Sequence, residues 1–271
     1  VYKRQALSVL NSFDLKGPSD HTVPVFKVSS VNQEIKALLF GYACHATCLD
    51  ICKWSGDYPG FTQIELEKAF PGATAMFFAG CGGDQNPIPR RSLPLAAQYG
   101  EELCAAVKRV LKEPMKDLTP SLVTQYNEIE LAFSDPLAID TLKAIAEAGP
   151  PYQTRWAENL ISRIQNGPAP PGTYPHYPVQ SWLVGDQKIL MLGGEVVVDY
   201  AFRLKQIWGN DLVVVAYCND VMAYIPSERV LREGGYEGNT SMRAYGQPST
   251  WKPGIEKFII AEVSRQLTQL K

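Results

Sequence analysis

The sequence predicts an α/β fold in which mixed β-sheets, one sheet or two packed on each other, are flanked by helices. Three observations carry this expectation. Short apolar runs bounded by Gly, Pro and Asn alternate with amphipathic stretches of helical period. Two strand pairs, 23–28 with 35–44 and 179–184 with 188–192, are separated by turn-sized gaps and read as hairpins, which a purely parallel sheet lacks. Several apolar runs also end in small residues followed by a polar side chain, at the place where open α/β sheets carry their chemistry.

Taken in order, VPVFKV (23–28) and IKALLFGYAC (35–44) flank the turn-rich SSVNQE, and the second strand delivers His45. Phe61, Ile64, Leu66 and Phe70 repeat with roughly helical spacing, and Pro71-Gly72 stops that helix. The run 75–80, centred on Met76, Phe77 and Phe78, reads as a fully buried strand. It leaves through Gly80-Cys81-Gly82-Gly83 to Asp84, Gln85 and Asn86. Leu95, Tyr99, Leu103, Val107 and Val110 mark an amphipathic helix over 93–112, lying on a sheet. Ile129, Leu131 and Phe133 alternate as in a strand, and helices follow over 136–148 and 152–165. The Pro- and Gly-dense 166–178 reads as a long surface loop inside one domain. Beyond it come the second hairpin, Gly193-Gly194-Glu195, a helix over 196–208, a buried strand over 212–218 and a closing helix over 251–270.

Composition narrows the function. With 26 basic against 28 acidic side chains there is no electrostatic footprint for nucleic acid or an anionic membrane. No run approaches the roughly 18 apolar residues of a membrane span. Six cysteines in 271 residues are too sparse for a disulfide scaffold, and Cys44, Cys48 and Cys52 lack the CxxC pairs of a structural zinc site. No G-x-G-x-x-G follows a strand, so dinucleotide binding has no support. The opening VYKRQALSVL has neither the apolar region nor the cleavage site of a signal peptide, and a start at Val1 is expected of a piece of something longer.

Three strand ends share one grammar: His45 after ALLFGYAC, Asp84 to Asn86 after AMFFAGCGG, and Glu195 after ILMLGG. An imidazole nitrogen, a carboxylate oxygen and a phenol oxygen are donors that zinc accepts, and a catalytic zinc keeps one position for water. Of the three histidines, His21 and His176 fall in polar or Pro-rich stretches and read as exposed loop residues, which leaves His45 as the one held by a strand.

In order along the chain, GYACHATCLD (41–50), SGDYPGF (55–61), FFAGCGGDQNP (77–87), LGGE (192–195), AYIPSERV (223–230) and GGYEGNTS (234–241) resemble the catalytic domain of neutral ceramidases. The likeness spans about Val23 to Gly246 and rests on order and spacing. It implies a zinc-dependent hydrolase of an N-acyl amide, with zinc on His45, Glu195 and a tyrosine. Tyr236 stands in the matching YEG motif, and Tyr224 and Tyr245 are substitutes. A further zinc histidine is expected upstream of Val1. The same likeness suggests Gly82 and Gly83 as oxyanion donors and Asp84 or Asp57 as residues orienting the ligands. It also implies a small-molecule or lipid substrate and a secreted or periplasmic setting. Asn86 occupies the place of the family's serine. An amide is no activated hydroxyl, so either Asn86 orients the substrate carbonyl while zinc-bound water attacks, or this member does not cleave ceramide. The rival readings are a ceramidase-like domain that binds a lipid or sugar without turnover, and a zinc esterase.

Overall fold

The computed structural model describes residues 2–3 and 17–270, so most of the opening VYKRQALSVL lies outside the described residues. The elements run β1 (Tyr2–Lys3), β2 (Val25–Ser29), β3 (Ile35–Tyr42), α1 (Asp57–Ala69), β4 (Thr74–Ala79), β5 (Asn86–Pro87) and α2 (Leu93–Val110). There follow β6 (Leu122–Ala132), α3 (Ile139–Ala148), α4 (Pro151–Asn166), β7 (Thr173–Val184), β8 (Gln187–Leu192), β9 (Glu195–Val196) and α5 (Val198–Trp208). The chain closes with β10 (Val213–Val215), β11 (Tyr224–Ile225), α6 (Glu228–Glu233), a π-helical turn (Tyr236–Thr240), α7 (Ser241–Ala244) and α8 (Ile255–Gln269).

The mixed sheets expected from the sequence are present. β2, β3 and β4 form one sheet, antiparallel at β2–β3 and parallel at β3–β4, with α1 as the crossover. A second sheet has the order β10-β8-β7-β6, parallel between β10 and β8 and antiparallel elsewhere. The short pairs β1–β5 and β11–β9 and an isolated bridge between Phe133 and Trp251 complete the pairing among the described residues. The Ala216 N–H donates to the Ala79 carbonyl at 2.9 Å, so the end of β4 meets the end of β10 and joins the two sheets.

Period-two patterning explains how the second sheet is covered on both faces. Along β8, Leu190 and Leu192 enter a large core with α5 and α8, where Tyr200, Leu204, Ile259 and Val263 are fully buried. Ile189 and Met191 point the other way and meet Val213, Val215, Phe26 and Phe78, the last two from the first sheet. The first sheet buries Leu38 and Phe40 against Leu66 of α1 and Leu103 and Val107 of α2.

Three expectations need correction. The strand over 75–80 is not fully buried: among the described residues β4 has β3 as its only laddered partner, and Met76 keeps 42% exposure. The loop over 166–178 yields to β7 from Thr173 onward. Its prolines are tolerated because β8 pairs only from Val179, so that end of β7 is an edge, and the β6–β7 register slips at Ile129/Leu131. The strand over 212–218 ends at Val215, for a reason that belongs to the site.

The segment leading into β2 is pinned to α5. Lys205 Nζ lies 2.9 Å from Asp20 Oδ2 and 3.1 Å from Thr22 Oγ1, with Asp20 buried. Burial raises the Asp20 carboxyl, but the Lys205 and Thr22 hydrogen bonds outweigh it and the net direction is below the ordinary 3.8. A carboxyl lowered in the folded state stabilises the fold above its unfolded value, and that contribution is lost as pH falls through the folded one. Denaturant midpoints should therefore fall between about pH 5 and pH 3, and fall less steeply in Asp20→Asn. Parallel pH profiles for the two proteins would count against this role.

Candidate functional site

The carboxyl ends of β3, β4, β8 and β10 converge where the two sheets meet, and each delivers part of the site. His45 follows β3. Its N–H donates to the Gln85 carbonyl at 3.0 Å, and its Nε2 lies 3.0 Å from the Gly83 carbonyl. A carbonyl only accepts, so this contact places the proton on Nε2 and leaves Nδ1 to accept from the Tyr217 hydroxyl at 3.3 Å. Glu195 opens β9, with its N–H donating to the Ala223 carbonyl at 2.9 Å. Nε2 of His45 and Oε2 of Glu195 stand 3.6 Å apart, with both side chains largely buried.

Tyrosines close around this pair. Tyr245 donates to Glu195 Oε1, Oε2 lies 3.4 Å from the Tyr217 hydroxyl as a second acceptor competing with His45 Nδ1 for its one proton, and the Tyr224 hydroxyl lies 3.3 Å from His45 Nε2. The rings of Tyr217 and Tyr224 meet the imidazole edge-on at 6.2 and 6.1 Å. Tyr236, the residue matched by motif, stands one ring farther out, with its centroid 5.4 Å from that of Tyr224 and 40% exposure. Direct contact with Glu195 and His45 thus falls to Tyr224 and Tyr245, the two substitutes, and to Tyr217.

The electrostatics keep every group in a usable form. Burial pushes the His45 proton affinity down, more than Glu195 and the Gly83 carbonyl raise it, with Arg90 adding to the fall. Burial pushes Tyr217, Tyr224 and Tyr245 upward, and the Glu195 carboxylate adds to this in each case. At neutral pH the imidazole is then uncharged and able to act as a ligand, and the phenols are protonated donors toward Glu195.

The glycines and acids of the two middle loops build the joint under this pair. Gly82 N–H donates to the Gly80 carbonyl at 2.8 Å and Gly83 N–H to the Val196 carbonyl at 2.9 Å. Both donors are engaged by backbone carbonyls in this structure. Their need for glycine is steric. A β-carbon on Gly82 would stand 2.6 Å from the Cys44 nitrogen, and one on Gly83 would stand 2.5 Å from the Glu195 carbonyl oxygen. Asp84, fully buried, accepts the Val198 N–H at 2.8 Å and so fixes the start of α5 directly after Glu195. Asp57 accepts the N–H groups of Leu49 at 2.9 Å and Tyr58 at 2.7 Å, which orders the loop after His45. Asn86 is buried, and its Oδ1 accepts from Thr47 Oγ1 at 3.0 Å and from Arg90 Nη1 at 2.8 Å.

Tyr217, Thr47 and Arg90 escape the sequence reading. Tyr217 was absorbed into the apolar run over 212–218. In the structure it has φ 61°, and its N–H donates to the Gly194 carbonyl at 3.1 Å. This left-handed turn ends the strand early and swings the phenol onto His45 and Glu195. The available signal was that LVVVAYCND is a fourth apolar run leading into polar residues.

Set against zinc, the donors fit in kind and spacing. Two ligand bonds of about 2.0 Å at a tetrahedral angle separate their donor atoms by roughly 3.3 Å, near the observed His45–Glu195 distance. Among the described residues, however, no group of three or more His, Cys, Asp or Glu is gathered for a metal.

No protein-family model matches the chain, and no curated relative does. Solved structures of ceramidases are similar to it. A ceramidase complexed with C2 matches at TM-score 0.62 and 15% identity, over 98% of this chain and 53% of that one. A neutral ceramidase from Pseudomonas aeruginosa matches at TM-score 0.62 and 15% identity, over 96% of this chain and 50% of its own. The chain thus has a ceramidase-like fold and spans about half the length of the neutral ceramidases it resembles.

Proposed function

We propose that this chain carries part of the zinc site of a hydrolase of the neutral ceramidase type, cleaving an N-acyl amide. The observation that carries this reading is the approach of His45 Nε2 to Glu195 Oε2, 3.6 Å apart at the converging strand ends and ringed by tyrosine hydroxyls. The ceramidase-like fold supports it. His45 and Glu195 would hold the metal with a tyrosine, Tyr224 or Tyr236, and with a further histidine from upstream of Val1. Bound zinc polarises an acyl carbonyl and acidifies a water.

The chain's own residues prepare that chemistry. The Gly83 carbonyl and Tyr217 hold the imidazole between them, and Nε2 would ligate zinc by giving up the proton it directs at the Gly83 carbonyl. Tyr245 fixes the Glu195 carboxylate from the far side. Asn86 keeps an amide group beside the site. Its oxygen is engaged by Thr47 and Arg90, which leaves the NH2 group as the end that can donate to a substrate carbonyl.

The test is hydrolysis of N-acyl amides and matched esters by the protein expressed over its natural full length, with and without a chelator. Amide cleavage that stops on chelation and returns with zinc is expected. Saturable binding without metal-dependent turnover would favour the non-catalytic reading to which Asn86 points, and cleavage confined to esters would favour a zinc esterase.

A further inference from the structure

Arg90, like Arg243, is partly buried and hydrogen-bonded only to uncharged side chains. Its Nη1 donates to Asn86 Oδ1 at 2.8 Å and to Thr47 Oγ1 at 3.2 Å, both uncharged acceptors. Among the described residues no carboxylate lies within ion-pair distance of it, whereas the adjacent Arg91 is paired with Asp50 at 3.1 Å. Arg203, Arg229 and Arg265 likewise have carboxylate partners. The hydrogen-bond partners of Arg90 are neutral and Asp50 acts on it only from beyond ion-pair distance, which leaves the partly buried guanidinium incompletely satisfied by the protein.

Its surroundings say where that charge is aimed. Thr47 lies two positions after His45 on the same loop, and its hydroxyl donates to the Asn86 oxygen at 3.0 Å. Asn86 ends the loop whose Gly83 carbonyl touches His45 Nε2 at 3.0 Å. Thr47 and Asn86 therefore clamp one arm of the guanidinium against the wall of the His45–Glu195 site. The other two donor nitrogens, Nη2 and Nε, make no hydrogen bond to the described residues. Two free donors on a rigid planar fork match the two oxygens of a carboxylate. The neutral headgroup expected of a ceramidase substrate offers Arg90 no such partner.

We propose that Arg90, held by Asn86 and Thr47, is a substrate-selecting residue that binds a carboxylate, so that the site takes N-acyl compounds bearing a carboxylate near the scissile amide. This inference takes its site from the hydrolase reading, but binding tests it without turnover. The experiment measures affinity for N-lauroylglycine and for its uncharged analogue N-lauroylglycinamide by calorimetry, in the zinc-supplemented full-length protein and in Arg90→Gln and Arg90→Lys. The wild type should bind the acid about 30-fold more tightly than the amide, a difference of the size that charge-assisted hydrogen bonds supply. Arg90→Gln should erase that preference, and Arg90→Lys should keep only part of it. Equal affinities in the wild type, or a preference undiminished in Arg90→Gln, would overturn the proposal. Should Arg90→Gln fail to fold, an undiminished preference in Arg90→Lys does the same. Selective binding with no hydrolysis of either compound would sink the hydrolase reading and leave this one standing, and hydrolysis of both with equal affinities would do the reverse.

Discussion

His45→Ala and Glu195→Ala are each expected to lower zinc content of the full-length protein from near one ion per chain to a small fraction of that. Even partners that only orient a ligand typically change metal affinity by about 10–100-fold, so loss of a ligand itself should exceed roughly 100-fold. The two substitutions should act alike although the residues arrive from opposite halves of the chain, because the structure brings their donor atoms within 3.6 Å. Elemental analysis after dialysis, with circular dichroism to confirm folding, reads the result. Tyr217→Phe is the graded control. It removes a hydroxyl 3.3 Å from His45 Nδ1 and 3.4 Å from Glu195 Oε2, so it should weaken zinc by about tenfold without abolishing binding. Unchanged zinc content in both alanine variants would end the metal assignment.

The degree to which this site was legible follows from what kind of signal each residue carries. His45 and Glu195 could be found because a buried strand that runs out into small residues is a local pattern, and both sit at such ends. The mixed sheets were legible for the same reason, since hairpin gaps and apolar runs are local. The tyrosines were not. Tyr236 lies in a recognisable motif yet packs edge-on outside Tyr224, while Tyr217 and Tyr245 reach Glu195 from segments whose approach is set by sheet pairing and by α7. The glycines misled differently. A Gly-Gly pair after a strand reads equally as an anion cradle or as a place where two backbones touch, and only the positions of the 43–44 and 195–196 segments decide between them. The prolines of 173–178 read as loop because a sequence does not show that the neighbouring strand starts late.

Gly83→Ala carries the second large expectation, because Gly83 is where the two halves of the site meet. Its N–H donates to the Val196 carbonyl at 2.9 Å, its carbonyl takes His45 Nε2, and the next residue, Asp84, caps α5. An added β-carbon would stand 2.5 Å from the Glu195 carbonyl oxygen and 2.9 Å from its carbon, and these are backbone atoms that no rotamer change can move aside. Relief requires the 82–85 loop and the 195–196 segment to part, at a cost of about 3 kcal/mol at an overpacked site. The same parting would draw His45 away from Glu195, so zinc binding should fail along with stability. A substitution of similar size at Gly60, where a β-carbon meets nothing within 4 Å, sets the baseline. Chemical denaturation of Gly83→Ala beside Gly60→Ala should show the larger loss at Gly83. Near-wild-type stability together with full zinc loading in Gly83→Ala would mean that this joint does not hold the two ligands in place.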